Sequence, residues 1–103
     1  MTYIITLEAL ADPNRRALIE RLQKGPCSVS DLTQAVSISQ PAVSQHLSVL
    51  KAAGLVTVKK EGARRIYSLA PQGLVELRRY IDHLWDDVLA AFQQAAENQS
   101  EGE

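Results

Sequence analysis

The sequence predicts a mainly helical protein with one small β-hairpin in its second half. Three observations lead to this prediction. A segment of about residues 39–53 has a capping serine, an early proline and a closing glycine, as a short helix does. Two β-rich runs joined by a glycine-containing turn follow it, at about residues 55–69. A last segment, about residues 71–96, repeats apolar residues at helical spacing.

The chain of 103 residues is short enough to form one domain, which we expect to span residues 1–97 with a flexible tail at 98–103. Its single cysteine excludes a disulfide framework and favours a reducing, cytoplasmic setting. No apolar run reaches ~18 residues and no signal-peptide pattern opens the chain, so we expect no membrane association. Without a Gly-rich phosphate loop or clustered histidines, we expect neither enzymatic activity nor a cofactor.

The first segment of the chain is predicted to supply an apolar layer beside the last helix. A domain this small has a marginal core, so a second layer would help to cover that helix. The hydrophobic residues of the segment are Tyr3, Ile4, Ile5, Leu7 and Leu10.

Residues 28–36 are predicted to form a short helix, with Ser28 and Asp31 at the spacing of a capping box. Only two residues separate this helix from Ser39, so the two helices must cross steeply, as in a helix-turn-helix. The predicted apolar edge consists of Val29, Leu32, Ala35 and Val36.

The helix at about 39–53 begins with Ser39 as N-cap and Pro41 in the first turn, and Gly54 closes it. At ~100° per residue, the apolar face is formed by Val43, Leu47 and Leu50. The opposite side carries Pro41, Gln45, Ser48 and Ala52, with Gln40, Ser44 and Lys51 along one flank.

The short polar side chains on this exposed side favour contact with nucleic acid. Hydroxyl and carboxamide groups approach base edges and phosphates closely without adding negative charge. An ordinary amphipathic helix is the alternative, because hydrophobic spacing alone does not distinguish the two.

The hairpin consists of the runs 55–60 and 64–69, joined by Glu61, Gly62 and Ala63. Its position after the helix-turn-helix is that of a wing. A group of cations surrounds its tip and would lie beside the polar flank of the preceding helix: Lys51, Lys59, Lys60, Arg64 and Arg65.

The net charge of −1 conceals an uneven distribution. Residues 1–75 carry nine Lys or Arg against five acids, whereas residues 76–103 carry two against seven. The basic part therefore contains the predicted helix-turn-helix and wing, where phosphates would lie. The alternative is that the cations at the loop tip serve only solubility.

The last helix is predicted to pair with a second copy of the chain. Its stripe is too wide for one small domain to bury, although burial within its own domain remains the alternative. The seam repeats at steps of three and four along Leu74, Leu77, Ile81, Leu84, Val88 and Ala91, and Tyr80, Trp85, Leu89 and Phe92 widen it.

Four blocks of this sequence together resemble the ArsR-type (ArsR/SmtB) family of small winged helix-turn-helix transcriptional repressors. They are residues 10–19 (LADPNRRALI), 39–47 (SQPAVSQHL), 50–56 (LKAAGLV) and 61–69 (EGARRIYSL), in the order and spacing of the family. The resemblance extends over residues 9–69, which are more than half of the chain. It implies a homodimer that binds double-stranded DNA at a near-palindromic operator and represses its own or a neighbouring operon.

The expected site residues form two sets. Contacts with DNA are expected from Ser39, Gln40, Pro41, Ser44, Gln45, His46, Lys51, Lys59, Lys60, Arg64 and Arg65. Contacts between subunits are expected from Ile4, Leu7, Leu77, Ile81, Leu84, Trp85, Val88 and Phe92. Two alternatives stay open: a winged helix that binds proteins, and a redox-responsive regulator that uses Cys27.

The resemblance also implies where a metal sensor would lie, and this chain lacks its ligands. Metal-sensing members of the family carry paired cysteines at the positions of Ser28 and Ser30. Cys27 is adjacent but alone, and one thiolate cannot complete a tetrahedral site. Asp82 and His83 diverge by ~100° around the last helix, so they do not form the family's other site. We therefore expect no metal site.

Overall fold

The computed structural model describes residues 2–101 and consists of five helices and a three-stranded antiparallel sheet. It confirms the predicted mainly helical fold with a β-hairpin. The elements are α1 (Thr2–Ala11), α2 (Pro13–Leu22), β1 (Cys27–Ser28), α3 (Val29–Ala35), α4 (Gln40–Ala52), β2 (Val56–Glu61), β3 (Arg64–Leu69) and α5 (Gln72–Glu101).

The core lies where α2, α3 and α4 meet the sheet. The predicted apolar face of α4 is confirmed, because Val43, Leu47 and Leu50 have no exposed surface. Leu18 from α2 and Leu32 from α3 are equally buried in the same cluster. The predicted apolar edge of α3 is only partly buried, since Ala35 at the end of that helix is exposed.

Side-chain caps define where the central helices begin. The Ser28 hydroxyl accepts a hydrogen bond from the Asp31 N–H at 3.2 Å, and the Ser39 hydroxyl accepts one from the Ala42 N–H at 3.3 Å. Gly54 follows α4 with φ of 74°, the left-handed conformation that ends helices. The capping predictions for α3 and α4 are therefore confirmed.

Asp12 caps α2 and receives N–H donors from Asn14 at 2.7 Å and from Arg15 at 3.2 Å. Desolvation raises the pKa of its carboxyl group, but these two hydrogen bonds, together with the electrostatic effects of the neighbouring His46 and Arg15 side chains, outweigh that effect. The pKa of Asp12 therefore lies below its ordinary value.

This lowered pKa predicts a loss of stability in acid. The stabilisation by Asp12 is complete above the pKa of the unfolded chain, ~3.9, and disappears as the pH falls through the lower folded value. We expect Asp12→Asn, which keeps a capping oxygen, to flatten the acid side of a plot of melting temperature against pH. The exposed Asp86→Asn is the control; an equal effect of both changes would contradict the role of Asp12.

The sheet has one strand more than the sequence predicted. The strand order is β1-β3-β2, with Cys27 paired to Tyr67 and Ser28 to Ile66. A two-residue strand carries no alternation to detect, and it forms here because β3 offers its second edge. Between β2 and β3, Glu61 pairs with Arg64, so the turn contains only Gly62 and Ala63 rather than three residues.

Helix α5 is longer than predicted. It begins at Gln72 and extends to Glu101, beyond the expected end near residue 96 and into the segment expected to be a tail. Residues 102 and 103 lie outside the described residues, and flexibility of the tail stays a prediction. Near its start, α5 packs along α1, where the rings of Tyr3 and Tyr80 stack with centroids 4.2 Å apart.

The start of α5 also lies against the end of α4. The Gly73 N–H donates to the Gly54 carbonyl oxygen at 3.0 Å, and the Thr6 hydroxyl of α1 donates to the Gly73 carbonyl oxygen at 3.3 Å. A Cβ added at Gly73 would overlap the carbonyl oxygen of Ala53. A glycine at this position lets the backbones of α4 and α5 approach closely.

Candidate nucleic-acid interface

The exposed side of α4 presents polar side chains that are free to bind. Gln40 and Gln45 are exposed, and their side chains make no hydrogen bond within residues 2–101. The Ser48 hydroxyl donates to the Ser44 carbonyl oxygen at 3.2 Å, which keeps that hydroxyl close to the helix. The face therefore offers two unpaired carboxamides, which are bidentate partners for adenine edges in the major groove.

His46 differs from the other expected DNA contacts on α4 because it is half-buried. Its Nδ1 lies 3.2 Å from Nη1 of Arg15, and a guanidinium only donates, so Nδ1 is the acceptor. Arg15 also donates to the carbonyl oxygens of Ala9 at 2.6 Å and Glu8 at 3.0 Å. Arg15 thereby links the end of α1 to α4. Contact of His46 with DNA stays a prediction.

The wing places its cations on adjacent strands near the turn. Lys60 lies opposite Arg65 in the register of β2 and β3. The four cations of the hairpin are all exposed: Lys59, Lys60, Arg64 and Arg65. Nη2 of Arg64 lies 3.7 Å from a carboxylate oxygen of Asp31 on α3. Neither this ion pair nor the contact between Arg15 and His46 had a signal in the sequence, because both join residues that are distant along the chain.

The outer surface of α1 and α5 is apolar and exposed. Trp85 and Phe92 are 62% and 70% exposed, and these are high values for large apolar side chains. Leu77 is the exception in the expected subunit-contact set, because it is only 8% exposed in the single chain. The remaining exposed members of that set are Ile4, Leu7, Ile81, Leu84 and Val88.

The residues considered for metal or redox chemistry do not come together. Within residues 2–101, no three His, Cys, Asp or Glu side chains are grouped so that they could hold a metal ion. Cys27 is 3% exposed, and its Sγ lies 3.5 Å from the Gly25 carbonyl oxygen. In the same part of the chain, no helix is both long enough and apolar enough to cross a bilayer.

Comparison with known proteins relates this geometry to a family. The sequence-family model of the bacterial regulatory proteins of the arsR family matches residues 12–58, from the cap of α2 into β2. The HTH-type transcriptional regulator Rv2034 of Mycobacterium tuberculosis is 45% identical over 94 residues, which are 91% of this chain and 88% of that protein. The chain belongs to the ArsR family. It is a DNA-binding transcriptional regulator, so the resemblance and the predicted class of function are confirmed.

Solved structures of similar regulators share the fold. An ArsR-like transcriptional regulator from Rhodococcus sp. RHA1 is 30% identical, with a TM-score of 0.76 over 92% of each chain. The homodimeric winged helix-turn-helix domain of Mb0332 from Mycobacterium bovis, a possible ArsR-family regulator, is 26% identical. Its TM-score is 0.67, over 85% of this chain and 82% of that one. The winged helix-turn-helix prediction is therefore confirmed.

Proposed function

We propose that this ArsR-family regulator is a homodimeric repressor of its own or a neighbouring operon. In this proposal α4 enters the major groove, and the wing cations contact the DNA backbone or the minor groove. The observation that carries the proposal is the unpaired carboxamide face of Gln40 and Gln45 beside the exposed cations of the wing. A repressor of this kind acts by occupying DNA that the transcription machinery needs.

A second copy supports this function in two ways. One wing with few cations supplies few phosphate contacts, so a single chain would bind weakly, whereas two copies would double these contacts and steepen the salt dependence. A two-fold dimer would place two α4 helices in successive major grooves, ~34 Å apart, and would prefer a near-palindromic operator. The exposed apolar surface of α1 and α5 suits such an interface, and the similar winged helix-turn-helix domain of Mb0332, a possible ArsR-family regulator, is homodimeric.

The direct test is a mobility-shift titration of the purified protein with promoter fragments from its own locus. We expect one fragment to shift at a stoichiometry of two chains per operator, and the shift to weaken steeply as salt rises. A protein that binds no promoter fragment at low salt, or binds all of them equally, would contradict the proposal and favour a protein-binding winged helix.

Loss of the α4 carboxamides is expected to reduce discrimination between sequences. Replacing Gln45 with Ala should cost ~1–3 kcal/mol at the operator but little at an unrelated sequence, because a bidentate base contact is lost. Competition titrations with operator variants measure this difference. Gln94→Ala, an exposed change on α5, is the control. An unchanged operator preference in the Gln45 variant would show that this face does not recognise bases.

The thiol alternative receives less support from the fold. A reactive cysteine is usually accessible and lies in positive surroundings. Cys27 is instead buried in β1, against β3. The proposed function therefore assigns no signalling role to Cys27.

A further inference from the structure

A groove lies where the starts of α3 and α4 face the tip of the wing. Its volume is about 270 Å³, and it is open to solvent. Its polar lining comes from Ser28, Ser30, Gln40, Arg64 and Arg65, and none of its lining residues is acidic. Two arginines, a glutamine and two serines thus line one space, and all of these side chains can donate hydrogen bonds.

This set of donors fits a phosphate group. Guanidinium groups bind phosphate oxygens in a bidentate, charge-assisted manner, and neutral hydroxyls and amides complete the shell without repulsion. The Ser28 hydroxyl already accepts from the Asp31 N–H, so its own hydrogen is left to donate. The groove shares Gln40, Arg64 and Arg65 with the proposed DNA-binding surface, so a phosphate held here would belong to the bound duplex.

The carboxylate of Asp31, beside the groove, would compete with a bound phosphate for Arg64. This carboxylate lies 3.7 Å from Nη2 of Arg64, with both side chains more than half exposed. Exposed ion pairs of this kind are weak, so a phosphate can displace the carboxylate. The hydrogen bond from the Asp31 N–H to Ser28 holds Asp31 in the first turn of α3, next to the groove.

We propose that this groove seats one phosphate of the DNA backbone, and that Asp31 weakens DNA binding by holding Arg64 until that phosphate displaces it. The proposal rests on the proposed function, since it assumes that α4 and the wing face DNA. It makes Asp31 a positioning residue that sets the affinity of the complex without contacting a base.

The test is a set of variants measured by fluorescence anisotropy on the operator and on an unrelated duplex. Asp31→Asn should tighten binding to both by about two- to fivefold, the range expected for an exposed ion pair. Arg64→Gln should weaken both and reduce the salt slope by ~1. In the Arg64→Gln background, Asp31→Asn should have much less effect, because the carboxylate acts through that guanidinium.

Two controls make the result specific to the groove. Asp86→Asn removes the same charge from an exposed position on α5 and should leave the affinity unchanged. Operators with one neutral methylphosphonate at each backbone position should identify a phosphate whose neutralisation weakens the wild type but not Arg64→Gln. An equal gain from Asp31→Asn and Asp86→Asn, or the absence of such a phosphate, would overturn the proposal.

The source of the phosphate is tested separately. Inorganic phosphate, added against sulfate at equal ionic strength, should not displace the operator from the wild type more than sulfate does. Selective displacement that Arg64→Gln abolishes would show that the groove binds free phosphate, and would overturn its assignment to DNA. Normal operator binding by every groove variant would refute this inference alone, whereas no operator binding by the wild type would refute the proposed function.

Discussion

Replacing Leu84 with Glu is expected to split the proposed homodimer and to reduce operator binding severely. Leu84 is 47% exposed in the single chain, in the middle of the apolar stripe of α5. In a dimer its side chain would be buried, and a buried carboxylate without a partner costs at least ~3 kcal/mol, or about a hundredfold in the dimer dissociation constant. Sedimentation equilibrium measures the association, and anisotropy measures the loss of operator affinity.

The matched control is Ala90→Glu, which adds the same carboxylate on the side of α5 away from the stripe. It should leave both the mass and the affinity close to those of the wild type. Val88→Glu, on the stripe one turn after Leu84, should repeat the effect of Leu84→Glu. A Leu84→Glu protein that stays dimeric, or a wild type that is monomeric yet binds the operator tightly, would contradict the proposed assembly.

Replacing Gly73 with Ala is expected to destabilise the protein by ~3 kcal/mol or more, near the upper end of the usual cost of overpacking. The added methyl group would overlap the Ala53 carbonyl oxygen and lie 3.2 Å from the backbone of Gly54. These are backbone atoms, so they cannot move aside as a flexible side chain can. Helix propensity alone predicts the opposite sign, because Ala stabilises a helix by ~0.5–1 kcal/mol relative to Gly.

Urea denaturation with a far-UV circular dichroism readout measures the change in the free energy of unfolding. Gln72→Ala, at the exposed neighbouring position in the first turn of α5, should have only a small effect. Because α5 and α4 meet at Gly73, the variant should also bind the operator less well even where it is folded. A Gly73→Ala protein that is as stable as the wild type would show that the two helices can separate without cost.

Most of the features that could be predicted depend on residues that are close together in the chain. The caps Ser28 and Ser39 bond to groups three residues away, and the apolar face of α4 follows from a repeat within one helix. The wing was predictable because Gly62 and the flanking alternation lie within fifteen residues. The exposed side of α4 could be predicted because it is the side opposite the apolar residues Val43, Leu47 and Leu50.

Contacts between distant residues could not be predicted in the same way. Strand β1 exists only because β3 has a free edge at which Cys27 and Ser28 can pair. The end of α5 was placed too early because its last residues are polar and carry no apolar repeat, although a helix can continue through them. Leu77 is buried although its neighbours on the stripe are exposed, and this difference depends on what packs against α5 within the same chain.

Local spacing and composition specify the helical segments, the polar side of α4 and the group of cations at the wing, so these features could be predicted without the fold. The fold, in contrast, brings Arg15 to both α1 and His46, and Asp31 to Arg64. It alone decided that Gly73 must lack a side chain. Such contacts join segments of the chain that only folding brings together, and no local pattern records which distant groups will meet.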